Sequence, residues 1–489
     1  MKKYIIYILY LIVPTSLNTK EIVLPTNGND EGTPVAYRIK SPTIIPSSPD
    51  VSGLMKFVEY PVDHATGVPD INIPIYEIKI GSISLPISLS YHASGIKVND
   101  VASPVGLGWT LNAGGAISRQ IIDKPDESDS FGRTAPYKSE EQIRSIVNTI
   151  NYNSSRSSVV NFIEKLEKMI YDVDNIKHDV HSDRYMYNIG KYSGVFRYEF
   201  GTENIHTVPY APVKITKRDG YPLYHSQQIT YEIIDPDGNK YIFDKNERET
   251  TMSNYNHIAA NGNGDNTYVS SKGGVTAWRL SKIISANRLD SIELFYTHEN
   301  YVNYSFSEML EQGQEVHVYL LPGPTGGMNR SFEVRDLPFG HLYFYTKIQN
   351  SYATKNIERI TANGKTVAEF NYLNDRRDLR KARLHSININ LDDISKKYIL
   401  RHSYSGTSKI ENYGSPTDVG LRLMLDKIDI VESSLYKIIK SYTFKYNKLE
   451  LPPYYWYQDV GRHSFSEDYW GYYNGKASNH QIPHILSIP

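Results

Sequence analysis

The densest run of side chains able to hold a metal is Asp172, Asp174, His178, Asp179, His181 and Asp183. Imidazole and carboxylate are ordinary donors to a divalent transition metal. His178 and His181 would share a face if a helix ran through them. The run has no His-Glu-x-x-His spacing and no third imidazole, so a polar linker leaving a helix end accounts for it more simply. His178, His181 and Asp183 are the residues that would hold a metal, although no metal and no cofactor is expected.

Other constellations resolve the same way. Gly106, Gly108, Gly114 and Gly115 surround Trp109 and Leu111. A glycine-rich loop can cradle phosphate, but the G-x-G-x-x-G spacing is missing and no helix pattern follows. Tight turns and close backbone approach fit better, with Trp109 filling a gap between sheets. Asp235, Asp237 and Asn239 lack the twelve-residue calcium loop and its terminal Glu, while Pro236 and Gly238 already make a turn. No G-x-S-x-G elbow is present for a serine nucleophile. Glu467 and Asp468 stand beside Tyr469 and Trp470, a cluster suited to gripping sugar, but a packed terminal strand is favoured. The strongest basic run is Arg376, Arg377, Arg380, Lys381 and Arg383. Asp375 and Asp378 interrupt it, so a solvated loop is expected over a binding patch. No catalytic residue is assigned.

The whole chain limits what must position these groups. It has 489 residues, enough for two or three packed units, with 53 Lys+Arg against 54 Asp+Glu. That balance makes nucleic acid a poor partner. There is no cysteine, which excludes disulfides, thiolate nucleophiles and cysteine-based metal sites. Tyr is the outlier, 41 against 14 Phe, and suits half-buried sheet surfaces where the hydroxyl stays wet. Lys2 and Lys3 precede an apolar stretch from Tyr4 to Val13, a secretory leader pattern. It is shorter than the roughly 20 residues of a membrane span, and no later segment reaches that length.

The pattern along the chain is mostly β. Prolines 25, 34, 42, 46 and 49 mark an extended tether up to about residue 52. Ile83, Leu85, Ile87, Leu89 and Tyr91 alternate with polar residues or proline, the period of a strand with one buried face. Gly81-Ser82 reads as the hairpin turn before them, and Pro74 and Pro86 belong at an edge or a bulge. Ile96–Val98 reads as a further short strand. Ser139 with Gln142 resembles a capping box, and Val159, Phe162, Ile163, Leu166, Ile170 and Val173 recur at helical spacing. A hairpin is expected at 231–243. Further strands are expected at 277–285, 291–296, 342–348, 366–372, 386–391, 421–431 and 438–446, with mobile loops at 261–266 and 322–327.

Three stretches form an ordered series: Gly67 to Tyr76, Leu85 to Val98, and Val105-Gly106-Leu107-Gly108-Trp109-Thr110-Leu111-Asn112-Ala113-Gly114-Gly115. Later words follow in order: Gly190–Gly194, Asp235–Gly238, Ala277-Trp278-Arg279-Leu280 and Trp470-Gly471-Tyr472-Tyr473-Asn474-Gly475. The series resembles the N-terminal region of the large Rhs/YD-repeat proteins of Bacteroidota and covers most of residues 55–476. The resemblance implies a β-rich wall of the kind that coils into a hollow shell, often around a C-terminal toxin or effector, as in polymorphic toxins. No YD-repeat array, autoproteolytic core or effector is visible in the sequence. The expected forms are therefore a free-standing module, a partner for a separate shell, or part of a split gene.

The expected fold is mostly β, with multiple antiparallel sheets (a β-sandwich or an open shell-like arrangement) and a small helical insertion. Residues 1–18 are expected to be a signal peptide, 19–52 a tether, 53–136 an N-terminal β region, 137–177 the helical insertion, and 178–489 a β-rich region. Gly106, Gly108, Trp109, Gly114, Gly115, Trp278, Trp470 and Gly471 are expected to be structural. The chain is expected to be exported, to the periplasm, outer cell surface or outside, as a non-catalytic structural or interaction module without a membrane span after leader removal. Its expected partners are a separate Rhs/YD-repeat shell or effector chain, or a surface glycan. The alternative is a carbohydrate-binding or carbohydrate-active β-sandwich. An open sheet edge near the C-terminus fits the first reading; a deep cleft with paired carboxylates and aromatic platforms fits the second.

Overall fold

The computed structural model describes residues 44–59, 67, 69–122, 182–198, 204–218, 229–259, 268–311, 342–378, 381–390, 395–406, 420–432 and 437–447. It also describes short segments at 22–25, 125–126, 315–322, 328–335, 450–452, 455–456, 462–463, 468 and 470–475. The leader at 1–18, the helical insertion at 137–177, His178, His181 and the 261–266 loop lie outside the described residues, as does the 322–327 loop beyond Pro322. The fold is mostly β, in several open antiparallel sheets, with one α-helix among the described residues.

That helix, Pro49–Glu59, begins inside the stretch expected to be an extended tether. Its start obeys local rules: proline suits the first helical position, where its missing N–H would be unbonded anyway, and Asp50 suits the positive end of the helix dipole. Val51, Leu54 and Met55 form a buried stripe that packs on Ala116, Met186 and Ala277. The proline density concealed this short apolar stripe.

Strands Asp70–Ile80, Ile83–His92 and Trp109–Ala113 make a small sheet. Ile83, Leu85, Ile87 and Leu89 are all at most 3% exposed. Gly81 turns the hairpin at φ +53°. Pro74 sits at a bulge, and Pro86 lies just outside the Ile87–Tyr91 stretch that pairs with Trp109–Ala113. A residue without an N–H fits both places. Ile96–Val98 does not form the expected strand. Lys97 makes a single bridge to Tyr472, because the segment is spent holding a distant turn.

Ile22–Pro25, Met328–Arg335 and Glu315–Pro322 form a separate three-stranded sheet and Tyr455–Trp456 with Arg462–His463 a two-stranded one; the other strands form one 18-stranded sheet, in which Ile44–Ile45 pairs with Ala116–Ile122. One branch is a meander: Lys214–Arg218, Thr230–Ile234, Lys240–Phe243, Lys282–Ile284, Ser291–Glu311, Leu342–Ala362, Lys365–Leu373, Arg383–Asn390, Ser395–Ser405, Arg422–Glu432 and Lys437–Thr443. The other branch leaves Leu342–Ala362 for Arg248–Ala259, Tyr268–Arg279, Ala116–Ile122, Arg184–Asn188, Ser193–Tyr198 and Ile205–Thr207. Two expected strands run much longer than their alternation indicated, to 21 residues each, because their continuation is polar. The expected 277–285 strand is broken at Leu280-Ser281, whose N–H groups turn to Gly115 O at 3.0 Å and Ile242 O at 2.8 Å.

The sheet forks along Leu342–Ala362. One edge pairs throughout with Ser291–Glu311. On the other, Phe344–Ala353 pair with the Arg248–Ala259 strand and Arg359–Ala362 with Lys365–Leu373. Residues 354–358 between them have no strand on that edge among the described residues. A bulge at the same place skips Glu358 in the register with Ser291–Glu311. The small sheet packs on the meander: the Tyr398 hydroxyl donates to Ile75 O at 2.7 Å.

Many tyrosines are dry, contrary to the expectation that their hydroxyls stay in water. Tyr185, Tyr187 and Tyr231 are fully buried, with Tyr185 stacked on Phe196 at 5.0 Å and Tyr231 edge-on to Trp278 at 4.9 Å. The Tyr198 and Tyr231 hydroxyls bond each other at 2.7 Å, and the Tyr446 hydroxyl donates to Leu425 O at 2.6 Å. At Tyr398 and Tyr446 a ring fills the gap between layers and its hydroxyl satisfies a carbonyl across it.

Glycine sites separate packing from conformation. A Cβ on Gly115 would lie 2.4 Å from Asn188 O, whereas one on Gly190 (φ +79°) would meet nothing within 4 Å. Gly115→Ala should cost roughly 1–3 kcal/mol through overpacking, and Gly190→Ala about 1 kcal/mol through its backbone alone. Urea unfolding of both variants checks this; equal losses would remove the steric account.

Candidate functional site

The segments singled out in the sequence meet in space. The Gly106–Trp109 loop lies on the Arg422–Glu432 strand, with Leu107 N–H donating to Leu423 O at 2.8 Å. Gly106 and Gly108 both have positive φ; a Cβ on Gly108 would be 2.6 Å from the Tyr91 ring. Trp109 is buried between Tyr91 (5.3 Å) and Phe444 (4.7 Å), and its indole N–H donates to the Tyr446 hydroxyl at 2.8 Å. Gly114 passes where a Cβ would press on Leu294 at 2.7 Å. Trp278 is fully buried and donates to Ile229 O at 3.1 Å. Lys191 pairs with Asp237 at 3.4 Å, an exposed contact of little energetic weight.

The C-terminal word divides. Gly471 O accepts from Val98 N–H at 3.0 Å, and the Tyr472 hydroxyl donates to Ser94 O at 3.1 Å. Asp468 shapes this turn by accepting the backbone N–H groups of Trp470 and Tyr472 at 2.9 Å. The Trp470 side chain, expected in a packed terminal strand, is 64% exposed. The turn carries the contact through its backbone and Tyr472, leaving the indole outside.

Of the metal candidates, Asp183 is described, and its carboxylate is taken. Arg119 Nε donates at 2.7 Å, Ile122 N–H at 2.8 Å and Asp126 N–H at 3.1 Å, with Arg119 and Asp183 both fully buried. No cluster of three or more metal-binding side chains occurs among the described residues. Asp235 accepts from Asn239 N–H at 2.8 Å and from the Tyr241 hydroxyl at 3.2 Å, closing the turn in which Gly238 has φ +85°. The basic run is solvated only in part: Arg377 is exposed and Arg380 lies outside the described residues, whereas Arg376 and Lys381 are buried. Arg376 is buried, clamps Asp378 at 2.8 and 2.9 Å, and donates to Ser103 O and Ala102 O at 3.2 Å. Asp378 in turn accepts Leu423 N–H at 3.1 Å.

A further concentration of buried charge lies at the fork, which no sequence motif announced. Glu249 is fully buried. Its Oε1 accepts Arg279 Nε at 2.7 Å and Lys355 N–H at 3.3 Å, and its Oε2 accepts the Ser48 hydroxyl. Lys355 Nζ donates to Glu247 at 2.9 Å and Asn246 O at 2.7 Å and lies 3.1 Å from His298 Nε2. Glu299 accepts Asn356 Nδ2 at 3.2 Å and Ala382 N–H. Lys381 Nζ contacts Asp50 Oδ2.

A cavity of about 60 Å³ opens among these groups, lined by Asp50, Thr110, Gly114, Arg279, Lys355 and Tyr372. Thr110–Gly115, which follow the Gly-Leu-Gly-Trp loop, and Arg279 of Ala277–Leu280 thus both contribute to its wall. Burial pushes the Tyr296 and Tyr372 hydroxyls up, so both stay neutral donors. The space suits a few waters; pockets for drug-sized ligands are roughly 300–1,000 Å³.

No family model, curated protein or solved structure matches the chain. Among the described residues no helix is long and apolar enough to cross a membrane.

Two outcomes are expected. Glu249→Ala strands buried Arg279 and an unpaired backbone N–H, so it should destabilise by about 3–5 kcal/mol, read by denaturant unfolding; a loss below 1 kcal/mol would deny Glu249 its role. His402 gives the pH test. Its Nε2 meets Val105 O at 2.9 Å, and its Nδ1 lies 3.3 Å from Arg383. Burial, aided by Arg383 and Arg376, lowers its pKa from 6.5 to about 4 despite the bond to Val105. Between those values the unfolded chain takes up a proton that the fold refuses, so stability falls as pH drops from 6.5 to about 4. His402→Gln should flatten that part of a melting-temperature profile; an unchanged slope would assign it to other groups.

Proposed function

We propose that this chain is an exported, non-catalytic wall and interaction module of the kind found at the N-terminal end of Rhs/YD-repeat shell proteins. The observation that carries the reading is the open meander. Its last strand, Lys437–Thr443, pairs only with Arg422–Glu432 among the described residues, and Ile438 and Ile439 are each 49% exposed. An unpaired edge offers backbone donors and acceptors to another strand, and Lys437 and Lys440 on it disfavour a second copy of the same strand. The partner is then a strand of different sequence, as a separate shell chain would supply. The charge at the fork supports the same reading: each cation has a carboxylate partner, and the cavity has no room for a polymer. The Lys2-Lys3 leader pattern supports export.

Exposed Trp470 favours the second reading, glycan binding, since a ring standing in solvent is a stacking platform. Co-expression with a YD-repeat shell chain from the same genome separates the two. The wall reading expects one co-eluting complex on size exclusion, lost with Ile439→Pro on the edge strand. Separate elution of the wild-type chains, together with Trp470-dependent fluorescence quenching by soluble glycan, would overturn it.

A further inference from the structure

Lys381 and Asp50 are 331 residues apart in sequence and in contact in the fold. The Lys381 side chain is 0% exposed and that of Asp50 11%. The Tyr301 ring covers the amine, its centre 4.7 Å from Nζ. An ammonium has three N–H donors, yet Asp50 Oδ2 is the one acceptor Lys381 meets among the described residues. Asp50 Oδ1 and the Tyr301 hydroxyl are both buried without a hydrogen-bond partner. Elsewhere at the fork the pairs are better supported: Lys355 Nζ has Glu247 and Asn246 O, and Glu249 accepts three donors. The Lys381–Asp50 pair therefore brings an amine and a carboxylate into contact with hydrogen-bonding capacity left over on both sides.

We propose that Lys381 and Asp50 condense into an intramolecular amide, an isopeptide cross-link, once the chain has folded. Proton transfer within the contact converts the ion pair to a neutral amine and a carboxylic acid. The Nζ lone pair attacks Asp50 Cγ, one Nζ–Cγ bond forms and one Cγ–O bond breaks. The second Nζ proton leaves with the carboxyl oxygen as water. Nothing is oxidised or reduced and no co-reactant is needed. Burial holds the reacting groups together, replacing a bimolecular encounter by a positioned one. Glu299 positions the amine by accepting the N–H of Ala382, the next residue. Asp50 also lines the cavity of about 60 Å³, which gives the departing water a place to go. The product joins the first turn of the Pro49–Glu59 helix to the Lys365–Leu373/Arg383–Asn390 connection. It would give a chain without cysteine a covalent brace across its fork.

The test is mass spectrometry of the folded full-length chain after tryptic digestion, which leader removal does not confuse. The expected result is a branched peptide joining the Asp50 and Lys381 segments, lighter than their sum by one water, in nearly all molecules. Lys381→Ala and Asp50→Ala should each lack it. Asp50→Asn should yield the same branched peptide by expelling ammonia instead of water. Recovery of the wild-type segments as separate linear peptides at their full masses would overturn the proposal, as would a branch between other residues.

Discussion

The structure depends on a carboxylate at the point where a sheet splits. A strand that changes partners along one edge leaves backbone groups with nothing to bond, and in a buried place that is costly. At Lys355, inside the gap at residues 354–358, a side chain takes the place of the missing strand. Glu249 accepts the orphaned Lys355 N–H, and the same oxygen holds Arg279. Across the paired edge, the Thr354 hydroxyl donates to Glu299 O and the Asn356 side-chain amide to the Glu299 carboxylate. The Leu342–Ala362 strand, the branch that carries Glu249 and Arg279, and Ser48 just ahead of the Pro49–Glu59 helix are joined through Glu249. Hydrophobic burial holds each layer together, but the charged groups fix where the layers meet.

The same economy explains the tyrosines. Layers packed at several angles leave polar backbone groups between them, and a phenylalanine would bury its ring while leaving the carbonyl unsatisfied. Tyr398, Tyr296 and Tyr446 each bury a ring and bond a carbonyl on another element. The glycines act in the opposite sense. At Gly108 and Gly115 a side chain would strike a ring or a carbonyl, so the loop seats Trp109 only because it is bare there.

Legibility in the sequence followed interaction range. The Ile83–Leu89 alternation, the turn at Gly81, the prolines at an edge and a bulge, and the Asp235–Gly238 turn are local, and each was readable from neighbouring residues. The helix at Pro49 was legible in its capping chemistry but hidden by the surrounding prolines. The burial of Arg376 and Lys381 within the basic run was not readable. Arg376 and Lys381 look solvated because their carboxylate neighbours in sequence suggest local cancellation; what buries them is the loop at Ala102–Ser103 and the Pro49–Glu59 helix. Asp183 likewise reads as a possible metal ligand until Arg119, 64 residues away, is placed on it.

By itself the sequence determined the fold class, the absence of thiol chemistry and the places where the backbone must turn, because these follow from side-chain period, composition and the conformational range of glycine and proline. It also marked the Gly106–Gly115 and Ala277–Leu280 segments as unusual without showing that they border one cavity. The tertiary structure alone decided the fork, the partner of each buried charge and the meeting of Lys381 with Asp50. Those are contacts between residues tens to hundreds of positions apart, and no local pattern encodes which distant charge will fill a gap left by a diverging strand.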